Sequence, residues 1–169
     1  TQRVPLVIKP PATTPVTPGT RSHLVLNTDI APTVADYVGH PTPGAWQGSS
    51  LRPIVTDNSS WGRSHLVFGH GLYTAQRGVR SRRWKYVRTY HSGMWAGSVP
   101  EEQLFDVDAD PWEQRDRSQE RDDERRRLSE ILDRWEQRHV SDGEDPMVRL
   151  ADDGPAGYRW AQQKVSEGG

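Results

Sequence analysis

At 169 residues the chain has room for one domain or for part of a larger one. With 33% hydrophobic against 27% charged residues, 13 Pro and 15 Gly, its core is expected to be thin and to need a partner domain. A formal net charge of −1 gives no general pull toward nucleic acid or an anionic membrane, and no apolar run approaches the roughly 18 residues of a membrane span. The absence of cysteine excludes disulfides, thiolate metal sites and a cysteine nucleophile.

The chain opens at Thr1 rather than Met, in a strand-like run with no preceding turn, which points to a fragment or a processed product. RVPLVIK (3–9) is nearly continuous in apolar and β-branched residues, the pattern of a strand buried on both faces of a parallel sheet. A Pro/Thr loop follows over 10–20, and HLVLN (23–27) reads as a short strand or an extended lead-in. TDIAPTVADYVG (28–39) predicts a helix. Asp29 is its expected N-cap, Pro32 lies in its first turn, Ile30, Val34, Tyr37 and Val38 form its apolar face, and Gly39 is a left-handed stop. Residues 40–64 read as loop.

HLVFG (65–69) predicts a strand, and GVRSRRWKYVRTY (78–90) predicts two more around a turn near Ser81–Arg83. In the second of these, Trp84, Tyr86, Arg88 and Tyr90 alternate against Lys85, Val87 and Thr89. After a loop over 91–102, QLFDV (103–107) is a further strand, and the short connections favour an antiparallel meander. LFDVDADPWEQRDRS (104–118) ends that strand in an acidic turn, where Asp108 and Asp110 are placed to bond their own backbone and Pro111 prevents further pairing. A helix over about 119–139 has the stripe Leu128, Ile131, Leu132, Trp135, with Ser118 as cap, acids early and bases late. From 141 to 169 the Gly/Asp/Pro-rich composition predicts a partly disordered tail.

Several of these segments, in this order, resemble the C-terminal portion of sulfatases, members of the alkaline-phosphatase-like superfamily. RVPLVIKPP resembles the strand after that family's active-site segment, and TDIAPTVADYVG its "T-D-I-x-P-T" helix. WQGSSLRPIV resembles its "QG-x-S-L-x-P" loop, GVRSRRWKYVRTY its "(W/Y)KY" hairpin, and LFDVDADPWE its closing acidic turn. Asp145–Pro146 resembles a pair that often follows the last helix. The sequence departs where Asn-Leu usually follows the turn: Asp116 and Arg117 stand there.

The resemblance implies an α/β architecture, an α+β fragment of the whole. Residues 1–64 would be the end of a large α/β hydrolase domain, 65–140 a small antiparallel sheet packed on a C-terminal helix, and 141–169 the tail. It implies hydrolysis of sulfate esters by a formylglycine made in a C/S-x-P-x-R motif, with Ca2+ held by acidic residues; the chain contains no such motif. The expected partners are therefore the N-terminal catalytic portion of the same enzyme and a sulfated small molecule or glycan, with neither nucleic acid nor membrane. The chain alone is expected to be inactive, with no catalytic and no metal-binding residue.

Two other readings are a phosphodiesterase or phosphonate-ester hydrolase of the same superfamily, and a stand-alone binding or assembly module. His70, between Gly69 and Gly71 at a strand end, is the candidate substrate-facing residue. The arginine-rich strands could meet an anionic substrate or simply form a charged sheet face. DADPWE lacks the glycine and the spacing of a calcium loop, so a turn is the better reading.

Overall fold

A computed structural model describes residues 4–16, 18–57, 62–140 and 145–167. The chain divides into two compact units, Thr1–Ser64 and His65–Gly169.

In the first unit, residues 4–16 and 18–26 form no helix or strand. This corrects the strand expected over 3–9, of which Arg3 lies outside the described residues. A strand exists only where another edge supplies its hydrogen bonds, and no described stretch pairs with this one. Val4 and Val7 are left 82% and 91% exposed.

A 3-10 turn (Asn27–Asp29) leads into helix α1 (Ile30–Tyr37), and Gly39, at φ +72°, ends it as expected. The buried side of α1 is Pro32, Thr33 and Ala35, whereas Ile30, Val34 and Val38 of the anticipated apolar face point to solvent. Thr33 is held twice: its hydroxyl donates to the Asp29 carbonyl (2.6 Å) and accepts from the Leu51 N–H (2.9 Å). A second helix, α2 (Arg52–Asp57), lies inside the stretch expected to be loop. Leu51 and Ile54 bury their side chains at its start, and Pro53 is tolerated in its first turn because no intrahelical N–H is needed there.

The second unit is built on a meander in the order β1 (His65–His70), β2 (Ala75–Ser81), β3 (Trp84–His91), β4 (Glu102–Asp106), every pair antiparallel. Alternation sorts its side chains onto two faces. Val79, Trp84, Tyr86 and Leu104 point to helix α3 (Asp122–His139) and pack on its fully buried Leu128 and Leu132. Val87, Phe105 and Val107 cluster on the opposite face with Phe68. Gly78 makes room there, because a Cβ would come within 2.3 Å of both the Phe68 ring and the Tyr86 carbonyl.

Helix α3 begins at Asp122, with acids in its first turn and Arg138 and His139 in its last. Ser118 is buried but does not cap it. Asp116 does the local work instead, its Oδ1 accepting from the N–H groups of Leu104 (3.0 Å) and Ser118 (2.8 Å). An asparagine oxygen could accept both bonds, so this departure leaves the turn's geometry available. In the acidic turn Asp106 and Asp110, rather than Asp108, bond the backbone, accepting from Ala109 and Arg115.

The tail differs most from expectation. Helices α4 (Pro146–Asp153) and α5 (Ala156–Glu167) replace the anticipated disorder over those residues. Asp145 caps α4 by accepting from the Met147 N–H (2.9 Å), with Pro146 at the first helical position.

Candidate functional site

His70 is the last residue of β1 and lies opposite Gln76 of β2, which in turn lies opposite Thr89 of β3. The two-residue turn at Arg82–Arg83 sets the second pairing, and the odd-even alternation puts all three on the Phe68 face. Their side chains form one hydrogen-bonded line. His70 Nδ1 lies 3.2 Å from both the carbonyl oxygen and the hydroxyl of Thr74. The Thr74 hydroxyl donates to Gln76 Oε1 (3.0 Å), and Gln76 Nε2 donates to Thr89 Oγ1 (3.1 Å). A bulge follows between Ala75 and Gln76, where β3 spends an extra residue. An open cleft adjoins Thr89 and is bordered also by Ser92, Glu101 and Glu102.

The loops around this line are tightly knitted. Gly93, at φ +62°, packs so closely that a Cβ would meet the Tyr73 carbonyl at 1.8 Å. Tyr73 and Trp95 meet edge to face at 6.2 Å, His91 packs on Tyr158 at 5.0 Å, and the Gly157 N–H donates to the Leu72 carbonyl (2.7 Å).

On the α3 face the sheet's cations are already spoken for. The Arg77 guanidinium forks onto Asp145 and also meets Glu136 (3.1 Å). Arg88 reaches Asp133 (2.8 Å) and Ser129 (2.7 Å), and the phenols of Tyr86 and Tyr90 donate to Glu102 and Glu136. Burial, reinforced by the Glu136 carboxylate, pushes the Tyr90 phenol well above its ordinary value, so it remains a donor. At the hairpin turn Arg83 pairs with Asp106 (2.7 Å), and on the Phe68 face Lys85 pairs with Glu113 (2.5 Å). For these four cations the charged-sheet reading fits better than a waiting anion site.

Among the described residues no three His, Asp or Glu side chains form a group that could hold a metal ion. Four carboxylates of the acidic turn are engaged: Asp106 with Arg83, Glu113 with Lys85, Asp110 and Asp116 with backbone N–H groups. Among the described residues this turn gathers no cluster of carboxylates of the kind a Ca2+ would take.

Asp29, expected to cap α1, occupies the N-cap position without capping. It is fully buried and accepts from Arg63 Nη1 and Nη2 (both 2.7 Å), the Leu26 N–H (2.8 Å) and the Ser49 N–H (2.9 Å). Burial raises its carboxyl, but these donors outweigh burial and hold it below the usual range.

Sequence reasoning singled out His70 and missed Thr74, Gln76 and Thr89. The register implied by a two-residue hairpin turn would have placed Gln76 opposite Thr89; Thr74, beyond the strand, had no such signal.

Comparison with known proteins agrees with this architecture. The family described as N-sulphoglucosamine sulphohydrolase, C-terminal, matches residues 1–138. An N-acetylglucosamine-6-O-sulfatase of Bacteroides thetaiotaomicron is 29% identical over 122 residues, 66% of this chain and 20% of that protein. A solved structure in complex with its substrate D-glucosamine-2-N,6-O-disulfate is similar at TM-score 0.57 and 22% identity, over 70% of this chain and 25% of that one. A 2-O GAG sulfatase is similar at TM-score 0.54 and 23% identity, over 65% and 24%. The chain thus spans about a fifth to a quarter of the length of these relatives, and the structural likeness is one of fold.

Proposed function

Because this chain belongs to the family of N-sulphoglucosamine sulphohydrolase C-terminal regions, we propose that it is the substrate-shaping part of a sulfatase acting on sulfate esters of a glycan or amino sugar. The observation that supports this most is the family match over residues 1–138, which spans the first unit, the whole meander and nearly all of α3. The relative named as an N-acetylglucosamine-6-O-sulfatase supports an amino-sugar sulfate as substrate.

In this reading the meander places His70 and its neighbours at the rim of a reaction centre built from the remainder of the enzyme. On the same reading the chain's own residues orient the sugar, and the nucleophile comes from the remainder of the enzyme. Calcium, if the enzyme uses it, would be held by residues elsewhere in the protein.

The exposed apolar residues of the first unit fit the same picture. Val4 and Val7 lie on an unpaired extended segment, and Ile30, Val34 and Val38 lie on one side of α1. Both would be covered by the large α/β domain, the segment as an added strand and α1 as a flanking helix.

The reading is tested by assaying the longer protein that contains this chain on 6-O-sulfated N-acetylglucosamine and, separately, residues 1–169 on an aryl sulfate. Sulfate release by the former and none by the latter is the expected pair. Metal-dependent turnover by 1–169 would overturn the assignment of chemistry to the remainder, and an inert longer protein would overturn the sulfatase reading.

A further inference from the structure

We propose that the cleft between the 3-10 turn Gly93–Trp95 and helix α5 is a subsite for an uncharged sugar linked to the sulfated one; the inference rests on the sulfatase reading and adds to it the class of the neighbouring sugar.

The cleft has a volume of about 380 Å3 and two walls. Met94 and Ala96 stand on one, and Tyr158, Ala161, Gln162 and Val165 on the other. The spacing i, i+3, i+4, i+7 puts those four on a single stripe of α5. No residue of α5 is fully buried, and Met94 and Val165 are left 53% and 77% exposed, so the chain itself does not fill the space.

Both walls are fixed to one end of the sheet. In an antiparallel meander β1 and β3 run the same way, so they finish at the same end, at His70 and His91. Just beyond β1 the Leu72 carbonyl accepts from the Gly157 N–H of α5 (2.7 Å), and His91 packs on Tyr158 (5.0 Å). On the other wall Gly93 lies so close to the Tyr73 carbonyl that no Cβ would fit. This is the end of the sheet that the sulfatase reading sets at the rim of the reaction centre.

The chemistry of the walls selects the occupant. No charged side chain lines the cleft, so a second sulfate or a uronate would lose water there without gaining a cation. A neutral sugar fits on both counts. Its C–H face packs on Met94, Tyr158 and Val165, and its hydroxyls meet the Tyr158 phenol and the Gln162 amide, each able to donate and accept. An apolar lining with a few polar groups is the usual make-up of a small-ligand site. Helix α5 lies beyond the residues 1–138 that the family matches, so this subsite is an addition to the shared frame.

The test compares kcat/KM of the longer protein on three substrates: 6-O-sulfated N-acetylglucosamine alone, the same sugar linked to a neutral hexose, and the same sugar linked to a uronic acid. The neutral disaccharide is expected to be preferred about tenfold over the monosaccharide, through binding energy remote from the sulfate, and the uronate disaccharide to show no such gain. Ala161→Trp, which fills the cleft, is expected to bring the preference to about one, and Gln162→Ala to reduce it about threefold. A wild-type ratio near one, an equal gain with the uronate, or a ratio that both variants leave unchanged would overturn the inference while leaving the sulfatase reading intact. Equal losses on all three substrates are one form of that last outcome and would mark a cleft filled by the remainder of the enzyme. A wild-type protein inert on all three would overturn both.

Discussion

Asp29 illustrates how one residue type admits two structural roles. An Asp before Ile-Ala-Pro reads as a helix cap, and the position is right, but the carboxylate turns back to tie three parts of the first unit together: the lead-in at Leu26, the loop at Ser49 and Arg63. Gly48 belongs to the same knot, since a Cβ there would come within 1.9 Å of the Thr28 carbonyl. Asp29→Asn leaves Arg63 without its anion and is expected to cost about 3 kcal/mol, read as a lower urea midpoint. Gly48→Ala is expected to cost about 1–3 kcal/mol in the same measurement, because backbone rather than a flexible side chain must move. The identity of Asp29 as a structural residue was legible in the sequence. Its partners were not, because Arg63 lies 34 positions away and no local pattern links them.

At the scale of elements, the meander and α3 follow from local signals: alternation in the strands, a two-residue turn, and the stripe that puts Leu128 and Leu132 in the core. Leu132→Ala is expected to destabilise by about 3 kcal/mol through the cavity it leaves, seen as a lower denaturation midpoint. Helices α4 and α5 were hidden by a composition rich in Gly, Asp and Pro. The start signal was present in Asp145–Pro146, but what seats α4 is the fork from Arg77, 68 residues earlier, with Met147 buried beside it. Asp145→Asn removes half of that fork's charge. It is expected to speed hydrogen exchange over 146–167 while leaving the middle of α3 protected; uniform acceleration across both would argue against a local seat.

For the whole molecule, several carboxylates share one electrostatic character. Arg77 beside Asp145 and Arg83 beside Asp106 hold those carboxyls below the ordinary value, as the donors around Asp29 do against its burial. A carboxyl depressed in the folded state contributes stability that is fully present above its unfolded value and lost as pH falls through the folded one. The urea midpoint is therefore expected to fall below about pH 4, with a shallower fall in Asp145→Asn, and to decline more gently as pH drops through about 6.5, where burial of His65 resists its protonation. The sequence by itself determined the family, the strand order and the α3 core face, because ordered motifs and periodicity are local properties of the chain. Only the tertiary structure decided which side of α1 is buried, that 4–9 stays unpaired, that Arg77 and Arg88 of the sheet are neutralised from within, and that His70, Gln76 and Thr89 share one line. Each of these depends on what lies across a register or a fold, and a chain's own periodicity does not encode the partner that completes it.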